Sequence, residues 1–408
     1  MLMQGNDWRN GSSIYTTFFC DLACPAPMPT TLGLPRAAAS HETRTALTPG
    51  VVEHLVDAHG LSVHVAAGAG TAAHHADAAY EAAGATIVDD DAAFAADLVL
   101  VLAPPSPKRR AALTEAQTVI GLLQPLDAPE ALADIADQGA TALPMELVPR
   151  ISRAQSMDVL SAMSSLAGYR ATLEAAMHLP KFFPLMSTAA GTIRPAQVLV
   201  VGAGVAGLQA IATAKRLGAK VRGYDIRDAT REEIESLGAS FVELELDTSL
   251  SQGDDGYAKE LEQAKQERQP ELLRPHIASA DVVITTALIP GRPAPLVVNE
   301  GAVEDMDSGS VIVDLAAPNG GNCALTEPGA TVTTHDVHIL GPTNLPATMP
   351  VHASELFANT VQSLFDYLLD DAGHLALDFD DEIADAMCAV HQGTIRNERV
   401  RDALGRAA

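Results

Sequence analysis

The chain has 408 residues, of which 47% are hydrophobic and only 4% aromatic, and its formal net charge is −26. This length accommodates two ordinary domains, and the charge argues against nucleic acid, whose binding rests on clustered Lys and Arg. The four cysteines show no metal-ligand spacing, so neither a zinc site nor a disulfide framework is expected, and a reducing compartment is favoured. No apolar run reaches about eighteen residues, so we expect no direct insertion into a membrane.

In chain order, the stretch 1–27 has neither the charged start nor the apolar block of a signal peptide, and we expect a poorly ordered extension. From residue 28 to about 150, short apolar runs alternate with helical patterns. Thr48 and Pro49, for example, are typical of a helix start. Such alternation predicts parallel βαβ units and therefore one doubly wound α/β domain.

A second pattern predicts a long helix that begins near Ser152, where Ser152 and Gln155 match a capping box. Gln155, Asp158 and Ser161 are three residues apart, so they share one side of the first turns. Arg150 stands just before them. An arginine, an amide, a carboxylate and a hydroxyl thus converge at one helix start. The alternative interpretation is a capped, solvated helix end.

The most informative stretch, QVLVVGAGVAGLQAIATAKRLGAKVRGYD, runs from a β-branched strand through a glycine-rich turn and a helix to a second strand that ends at Asp225. Gly202 permits the tight turn, Gly204 lets the backbone approach a pyrophosphate, and Gly207 lets the helix pack on the strand. The free N–H groups at the helix start favour phosphate. A glycine-rich structural turn is the alternative, but the order of parts favours a dinucleotide site.

Asp225 indicates which dinucleotide to expect. Its carboxylate can accept hydrogen bonds from the adenine-side ribose and would repel a 2′-phosphate, so NAD(H) is favoured over NADP(H). The residues of this stretch that we expect to contact the cofactor are Gly202, Ala203, Gly204, Val205, Ala206, Gly207, Asp225, Ile226 and Arg227.

The remainder of the chain predicts a second doubly wound domain and a return to the first. The acidic, aperiodic loop 243–257 is of the kind that is either functional or disordered. A long helix at 354–370 is expected to pack back on the first domain. We therefore predict an α/β protein of two Rossmann-like domains separated by a cleft and linked by long helices. The predicted domains are 28–150 plus about 345–408, and 151–344.

Two such domains with one nucleotide site imply a reaction in the cleft, with the hydride chemistry carried by the cofactor. Oxidation of an amino or hydroxy acid needs a proton acceptor, usually His or Lys, near the nicotinamide. Direct hydride transfer to a second nicotinamide needs none.

Several blocks resemble the superfamily shared by alanine dehydrogenase and the alpha subunit of proton-translocating NAD(P) transhydrogenase. ETRTALTP, from Glu42, is typical of the superfamily. The blocks most similar to the transhydrogenase subunit are PRISRAQSMDVLSAMSSLAGYRA, FFPLMSTAAGTIRPAQVLVVGAGVAGLQAIATAKRLGA, VVITTALIPGRPAP and VIVDLAAPNGGNCALTEPG. The resemblance extends from about residue 30 to 395.

The resemblance implies an NAD(H)-binding, homodimeric component that passes hydride directly between NADH and NADP+ held on a partner subunit. Its implied partners are the NADP(H)-binding and membrane-spanning subunits, which would place a cytoplasmic chain at the inner membrane. It also assigns Arg150, Gln155 and Asp158 to the nicotinamide-side loop as catalytic and cofactor-binding residues, and Ser161 to a carboxamide contact.

Two further sites follow from the resemblance. Gly256 and Tyr257, in GYAKE, match a mobile loop that closes over bound nucleotide. Leu288, in TTALIPG, lies at a strand end, where ligand contacts are expected. For the tyrosine and the leucine, ordinary packing is the alternative.

Departures from alanine dehydrogenase favour transhydrogenase. The substrate lysine, catalytic histidine and catalytic aspartate of that enzyme would align near Ala103, Gln124 and Pro318, so all three ionisable groups are missing. We therefore expect a cleft without a side chain suited to proton exchange with a small metabolite. An alanine dehydrogenase-like enzyme and a non-catalytic NAD(H)-binding module remain the alternatives. The acidic, lysine-poor composition fits either adaptation to high salt or an ordinary acidic cytosolic protein.

Overall fold

The computed structural model describes residues 30–39, 41–244 and 268–407. The predicted contacts Gly256 and Tyr257 lie outside these ranges. The strands are β1 Thr31–Leu34, β2 Ser62–Ala66, β3 Thr86–Val88, β4 Leu98–Val101, β5 Thr118–Gly121, β6 Thr141–Pro144, β7 Met186–Thr188, β8 Gly191–Ile193, β9 Gln197–Val201, β10 Lys220–Tyr224, β11 Ser240–Phe241, β12 Val282–Thr285, β13 Val311–Asp314, β14 Thr331–Thr334, β15 Val337–Leu340, β16 Val390–His391 and β17 Thr394–Ile395.

The helices cover the sheets and join them. They are α1 Pro49–His59, α2 Asp77–Ala82, α3 Asp90–Phe94, α4 Pro107–Arg110, α5 Glu130–Asp137, α6 Val159–His178, α7 Val205–Arg216, α8 Arg231–Ser236, α9 268–278, α10 Glu300–Glu304, α11 Pro350–Leu368, α12 Glu382–Met387 and α13 Glu398–Ala407. None of these described helices combines the length and the apolar character needed to cross a bilayer.

Two sheets with the same central arrangement confirm the predicted fold class. The eight-stranded sheet has the order β17-β16-β6-β5-β4-β1-β2-β3, and the seven-stranded sheet has the order β11-β10-β9-β12-β13-β15-β14. In each sheet the first strand, β1 or β9, is central. The next two strands are added on one side of it, and the chain then crosses to the other side, as in the 3-2-1-4-5-6 order of dinucleotide-binding folds. Within these two sheets the central strands pair in parallel, and antiparallel pairing is confined to β14, β16 and β17.

The small hairpin β7–β8 stands apart from both sheets and was not predicted. The predicted long helix after Pro350 is α11. It begins at Pro350 itself and buries Phe357, Val361 and Leu364 in the core of the first sheet, as expected for a returning helix. Part of the acidic tail that follows forms a short hairpin, β16–β17, which extends the edge of the first sheet at β6.

Helix α6 connects the two hydrophobic cores. Val159 and Met163, near its start, pack in the core of the first sheet, whereas Ala171 and Ala175 pack in the core of the second. Its midpoint lies against α7 so closely that a Cβ atom on Gly168 would stand 2.0 Å from the carbonyl oxygen of Ala206. The orientation of α7 is therefore fixed by direct contact with the helix that joins the domains.

The start of α6 differs from the prediction. Residues Ser152–Met157 form a 3-10 helix that lacks a side-chain cap, and the α-helix begins only at Val159. Its N-cap is Asp158, whose carboxylate accepts a hydrogen bond from the backbone N–H of Ser161. The prediction of a capping box at Ser152 and Gln155 is therefore wrong, because Asp158, six residues after Ser152, caps the helix instead.

The contact of α6 with α7 gives a first testable prediction. Gly168→Ala should lower the free energy of unfolding by about 1–3 kcal/mol, because the added methyl group must displace the Ala206 backbone. Gly50→Ala is the matched control. No atom lies within 4 Å of a Cβ at this exposed position in α1, so stability should stay within about 1 kcal/mol of the parent or rise. Equal urea midpoints for both variants would contradict this account of the helix contact.

Candidate nucleotide-binding cleft

The glycine-rich turn joins β9 to α7 at the carboxyl edge of the second sheet. Gly202 has φ +98°, in the left-handed region that favours glycine. A Cβ on Gly207 would lie 1.8 Å from the carbonyl oxygen of Gly202, so the helix start rests directly on the turn. Gly204 is the N-cap residue of α7, and no atom lies within 4 Å of a Cβ placed there. The turn thus has the tight bend, the close packing and the open side that the sequence predicted.

Asp225 follows β10 and organises this turn. Its buried carboxylate accepts hydrogen bonds from the backbone N–H of Ala203 at 2.7 Å and from Arg227 through N, Nε and Nη2 at 2.9, 3.0 and 3.1 Å. Burial opposes the charge of Asp225, but the bonds from Arg227 and Ala203 outweigh it and hold the pKa of Asp225 below its ordinary value. These four bonds occupy all the acceptor positions of the carboxylate.

A ribose hydroxyl that bonds to Asp225 must therefore replace a donor. The Arg227 side chain is the group most readily displaced, because 62% of it is exposed to solvent and exposed ion pairs contribute little. Val205 and Ile226 flank the turn and are themselves exposed. Contact of these residues with a nucleotide stays a prediction.

A cavity of about 890 Å³ lies between the two sheets, which is large enough for a cofactor-sized group. Loops of the first domain at 102–105, 122–127 and 145–150 form one wall, and 288–291 forms part of the other. At its rim, Nδ2 of Asn319 donates to Oδ1 of Asp127 at 3.2 Å, across the domains.

The structure brings only some of the predicted site residues to this cavity. Arg150, Asp158 and Leu288 line it. Gln155 is exposed and is not among the lining residues. Ser161 contacts the cavity indirectly, since its Oγ donates to Oδ2 of Asp158 at 2.6 Å. Asp158 therefore caps the helix by bonding to Ser161, as in the alternative interpretation. Asp158 also lines the cavity.

Arg150 differs from two other arginines that line the cavity. The guanidinium of Arg44 is paired with Glu42, and that of Arg109 with Asp90. Among the described residues, no carboxylate forms an ion pair with Arg150. Its positive charge is thus available to an anionic group in the cavity.

The ion pair of Glu42 and Arg44 is a feature to which the sequence analysis gave no role. Both side chains are buried, and Arg44 donates to Glu42 through Nε at 2.7 Å and Nη2 at 2.6 Å. Asn344 donates to the same carboxylate at 2.9 Å. Burial opposes the charge of Glu42, but these donors outweigh it and lower the pKa of Glu42. The only sequence signal was the position of both residues in the ETRTALTP block.

Glu146 is a second residue that the sequence analysis missed. It lines the cavity, and its Oε1 accepts the backbone N–H of Gln124 at 2.8 Å. The side chain as a whole is half-buried, but Oε2 is fully buried and has no hydrogen-bond partner in the part of the chain that the structure describes. Burial raises the pKa of Glu146 to about 7, in spite of the bond from Gln124. Exposed His41 lines the same cavity. The expectation of a cleft without proton-exchanging side chains was therefore too strong.

The positions compared with alanine dehydrogenase surround the same cavity. Ala103 and Gln124 line it, and so does Asn319, next to Pro318. Gln124 adopts φ +50°, an unusual backbone conformation for a residue other than glycine. The side chains at these positions supply no imidazole, amine or carboxylate.

Fold and site together define the class: a two-domain α/β protein of the dinucleotide-binding type, with a glycine-rich turn beside an interdomain cleft. The chain belongs to the alanine dehydrogenase/PNT family. The family model of the N-terminal domain matches residues 33–167, and that of the C-terminal domain matches residues 171–398.

The chain resembles both known transhydrogenases and known alanine dehydrogenases. It is 43% identical to a protein of Rhodospirillum rubrum named as the first portion of NAD(P) transhydrogenase subunit alpha, over 89% of this chain and 97% of that protein. A solved transhydrogenase from Sinorhizobium meliloti superposes with a TM-score of 0.78 at 36% identity, covering 90% of this chain and 99% of that one. A solved L-alanine dehydrogenase gives a TM-score of 0.77 at 26% identity, covering 93% and 100%.

The raised pKa of Glu146 gives a second testable prediction. The folded chain binds this proton more tightly than the unfolded chain, so ionisation costs stability as pH rises from the ordinary value of 4.5 towards 7. Glu146→Gln removes that cost. At pH 8 the free energy of unfolding of the variant should exceed that of the parent by at most about 3 kcal/mol, and near pH 4.5 this difference should disappear. Urea unfolding at both pH values measures the difference. If the difference in unfolding free energy between variant and parent does not change with pH, the pKa of Glu146 is not raised by folding.

Proposed function

We propose that this chain is the NAD(H)-binding alpha subunit of a proton-translocating NAD(P)+ transhydrogenase. One observation carries the proposal: the cavity is lined at the dehydrogenase positions by Ala103 and Gln124, which cannot exchange a proton with a substrate. The near full-length similarity to the Rhodospirillum rubrum subunit supports the same assignment. The alternative, an alanine dehydrogenase-like enzyme, would have to use Glu146 or His41 as its proton acceptor.

The residues present fit a dinucleotide. The open side of Gly204 and the free N–H groups of α7 suit its pyrophosphate. Asp225 suits its adenine-side ribose once a ribose hydroxyl replaces a hydrogen bond from the Arg227 side chain. When bound, the cofactor supplies the hydride. The chain itself orients the nicotinamide half in the cleft, with Arg150, Gln155 and Asp158 in the catalytic roles and Ser161 as a further contact. Positioning is the main contribution to rate in such a reaction.

The remaining assignments belong to the same proposal. Leu288 is exposed at the end of β12 and lines the cavity, so we place it against the nucleotide. Gly256 and Tyr257 are proposed to belong to a loop that closes over it. The NADP(H)-binding and membrane-spanning subunits are the proposed partners, and they would hold a cytoplasmic chain at the inner membrane. We retain 28–150 plus about 345–408, and 151–344, as the domain limits.

We propose a homodimer formed through the β7–β8 hairpin. Exposed large apolar side chains occur on the hairpin and in the segment of chain that leads into it, which is unusual for a surface that faces only water. They are Met177, Phe182, Leu185 and Ile193. A second copy of the chain is the proposed occupant, since an isolated two-stranded hairpin is only marginally stable without a partner.

Hydride transfer gives the third testable prediction. The purified chain, mixed with an NADP(H)-binding partner domain, should pass hydride from NADH to an NADP analogue. Asp158→Asn should slow this transfer by roughly tenfold to a hundredfold by misplacing the reacting ring. The melting temperature should change little, because Asn also caps helices well.

The matched control is Asp89→Asn, which changes the N-cap of α3, where Asp89 accepts the Ala92 N–H at 2.7 Å. It lies outside the cavity lining, and transfer should be unaffected. Turnover of alanine with NAD+ by the chain alone would refute the transhydrogenase assignment in favour of the dehydrogenase. Absence of transfer in every mixture would leave NAD(H) binding without catalysis as the function.

Oligomeric state gives the fourth testable prediction. Leu185→Asp places a charge on a residue that is 62% exposed at the hairpin. It should convert a dimer into a monomer in sedimentation velocity at micromolar concentration. Val351→Asp, on a residue that is 45% exposed in α11, is the matched control and should remain dimeric. A monomeric parent chain, or a dimer that survives the hairpin substitution, would rule out this interface.

A further inference from the structure

Two histidines and an aspartate meet where α1 packs on α11, among residues that do not line the cleft. Nε2 of His54 lies 2.7 Å from Oδ1 of Asp366, and Nε2 of His59 lies 2.8 Å from the same oxygen. These ligand atoms all lie within 4.8 Å of one another. The contact involves two imidazoles and one carboxylate, which is a set of groups with metal-binding chemistry.

The backbone positions of the three residues are fixed by the core beneath them. Leu55, next to His54, and Phe365, next to Asp366, are fully buried in the same hydrophobic cluster. Gly373 lies so close to the end of α1 that a Cβ on it would stand 2.3 Å from the carbonyl oxygen of His59. A site built on packed helices holds its ligands more accurately than one built on loops.

The arrangement fits a divalent transition metal. Zinc takes imidazole nitrogen and carboxylate oxygen at about 2.0–2.2 Å and commonly has three protein ligands with water in the fourth position. Tetrahedral bonds of that length separate ligand atoms by about 3.3 Å. The two contacts to Asp366 would open by about half an ångström, and the two imidazole nitrogens, which lie within 4.8 Å of each other, would adopt the same separation. The side chains of His54 and Asp366 are 35% and 41% exposed, which leaves a path from solvent.

We propose that His54, His59 and Asp366 bind one zinc ion, or a divalent transition metal with the same ligand preference. The metal replaces the hydrogen bonds to the shared carboxylate oxygen and joins α1 to α11. An ion that binds only the folded chain raises the melting temperature in proportion to the logarithm of its concentration above the dissociation constant. The site therefore strengthens the attachment of the returning helix to the first domain.

The test uses the full chain after treatment with EDTA and removal of the chelator. Titration with zinc chloride in a calorimeter, and with cobalt(II) followed by visible absorption, should reveal one equivalent bound with tetrahedral cobalt bands. His59→Ala, His54→Ala and Asp366→Asn should each weaken zinc binding by at least about tenfold, as expected for loss of a ligand or its charge. His352→Ala is the control, since His352 is an exposed histidine of α11 outside the cluster.

If circular dichroism shows that His59→Ala does not fold, the His54→Ala and Asp366→Asn variants still provide the test, because these two side chains are 35% and 41% exposed and their loss disturbs the core less. At a zinc concentration near the dissociation constant of the parent, zinc should raise the melting temperature of the parent and of His352→Ala, and raise that of His54→Ala much less. Equal zinc affinity in the parent and in the double variant His54→Ala/His59→Ala would overturn the proposal. So would the absence of stoichiometric binding by the parent chain, which would leave the cluster as a hydrogen-bonded contact between helices.

Discussion

The geometry of the cleft depends on the backbone contact between α6 and α7 at Gly168. Helix α6 starts at the cavity with Asp158 and ends in the second core, and α7 starts at the glycine-rich turn. Thr172 reinforces the contact, since its Oγ1 donates to the carbonyl of Ala210 at 3.2 Å. Any movement of α7 relative to α6 would change the distance between the glycine-rich turn and Asp158 in the cleft. The absence of a side chain at Gly168 is thus a condition for the alignment of both halves of the site.

The cleft contains two carboxylates whose pKa values shift in opposite directions. Glu42 is buried with Arg44 and Asn344, and the charged form is favoured because four N–H groups of these two residues replace the lost water. Glu146 receives only backbone N–H donors, chiefly that of Gln124, and among the described residues its second oxygen is buried without a partner. Burial then dominates and raises its pKa to about 7. The cleft is therefore asymmetric, with a permanent ion pair at one side and a titratable carboxyl at another.

The parts of the structure that were predictable are those encoded by local spacing. Alternating apolar runs defined both sheets, and the bend at Gly202 and the packing at Gly207 follow from the order of strand, turn and helix. The start of α6 was misplaced because Ser152 and Asp158 both satisfy local capping rules, and the preference between them is set by the 3-10 helix that separates them. Glu146 could not be recognised, because its pKa depends on burial by residues distant in sequence. Direct nucleotide contacts remain predictions.

Fold similarity does not discriminate between the two activities of this family, since solved proteins of both kinds superpose almost equally well. The distinction must come from the cavity itself. A dehydrogenase needs an acceptor for the proton released with each hydride, and the side chains at Ala103, Gln124 and Pro318 offer none. Glu146 has a suitable pKa, but its free oxygen is buried rather than presented to solvent, so exchange of its proton with water would be impeded. A cleft without a proton acceptor at these three positions suits the proposed reaction, in which hydride passes from ring to ring.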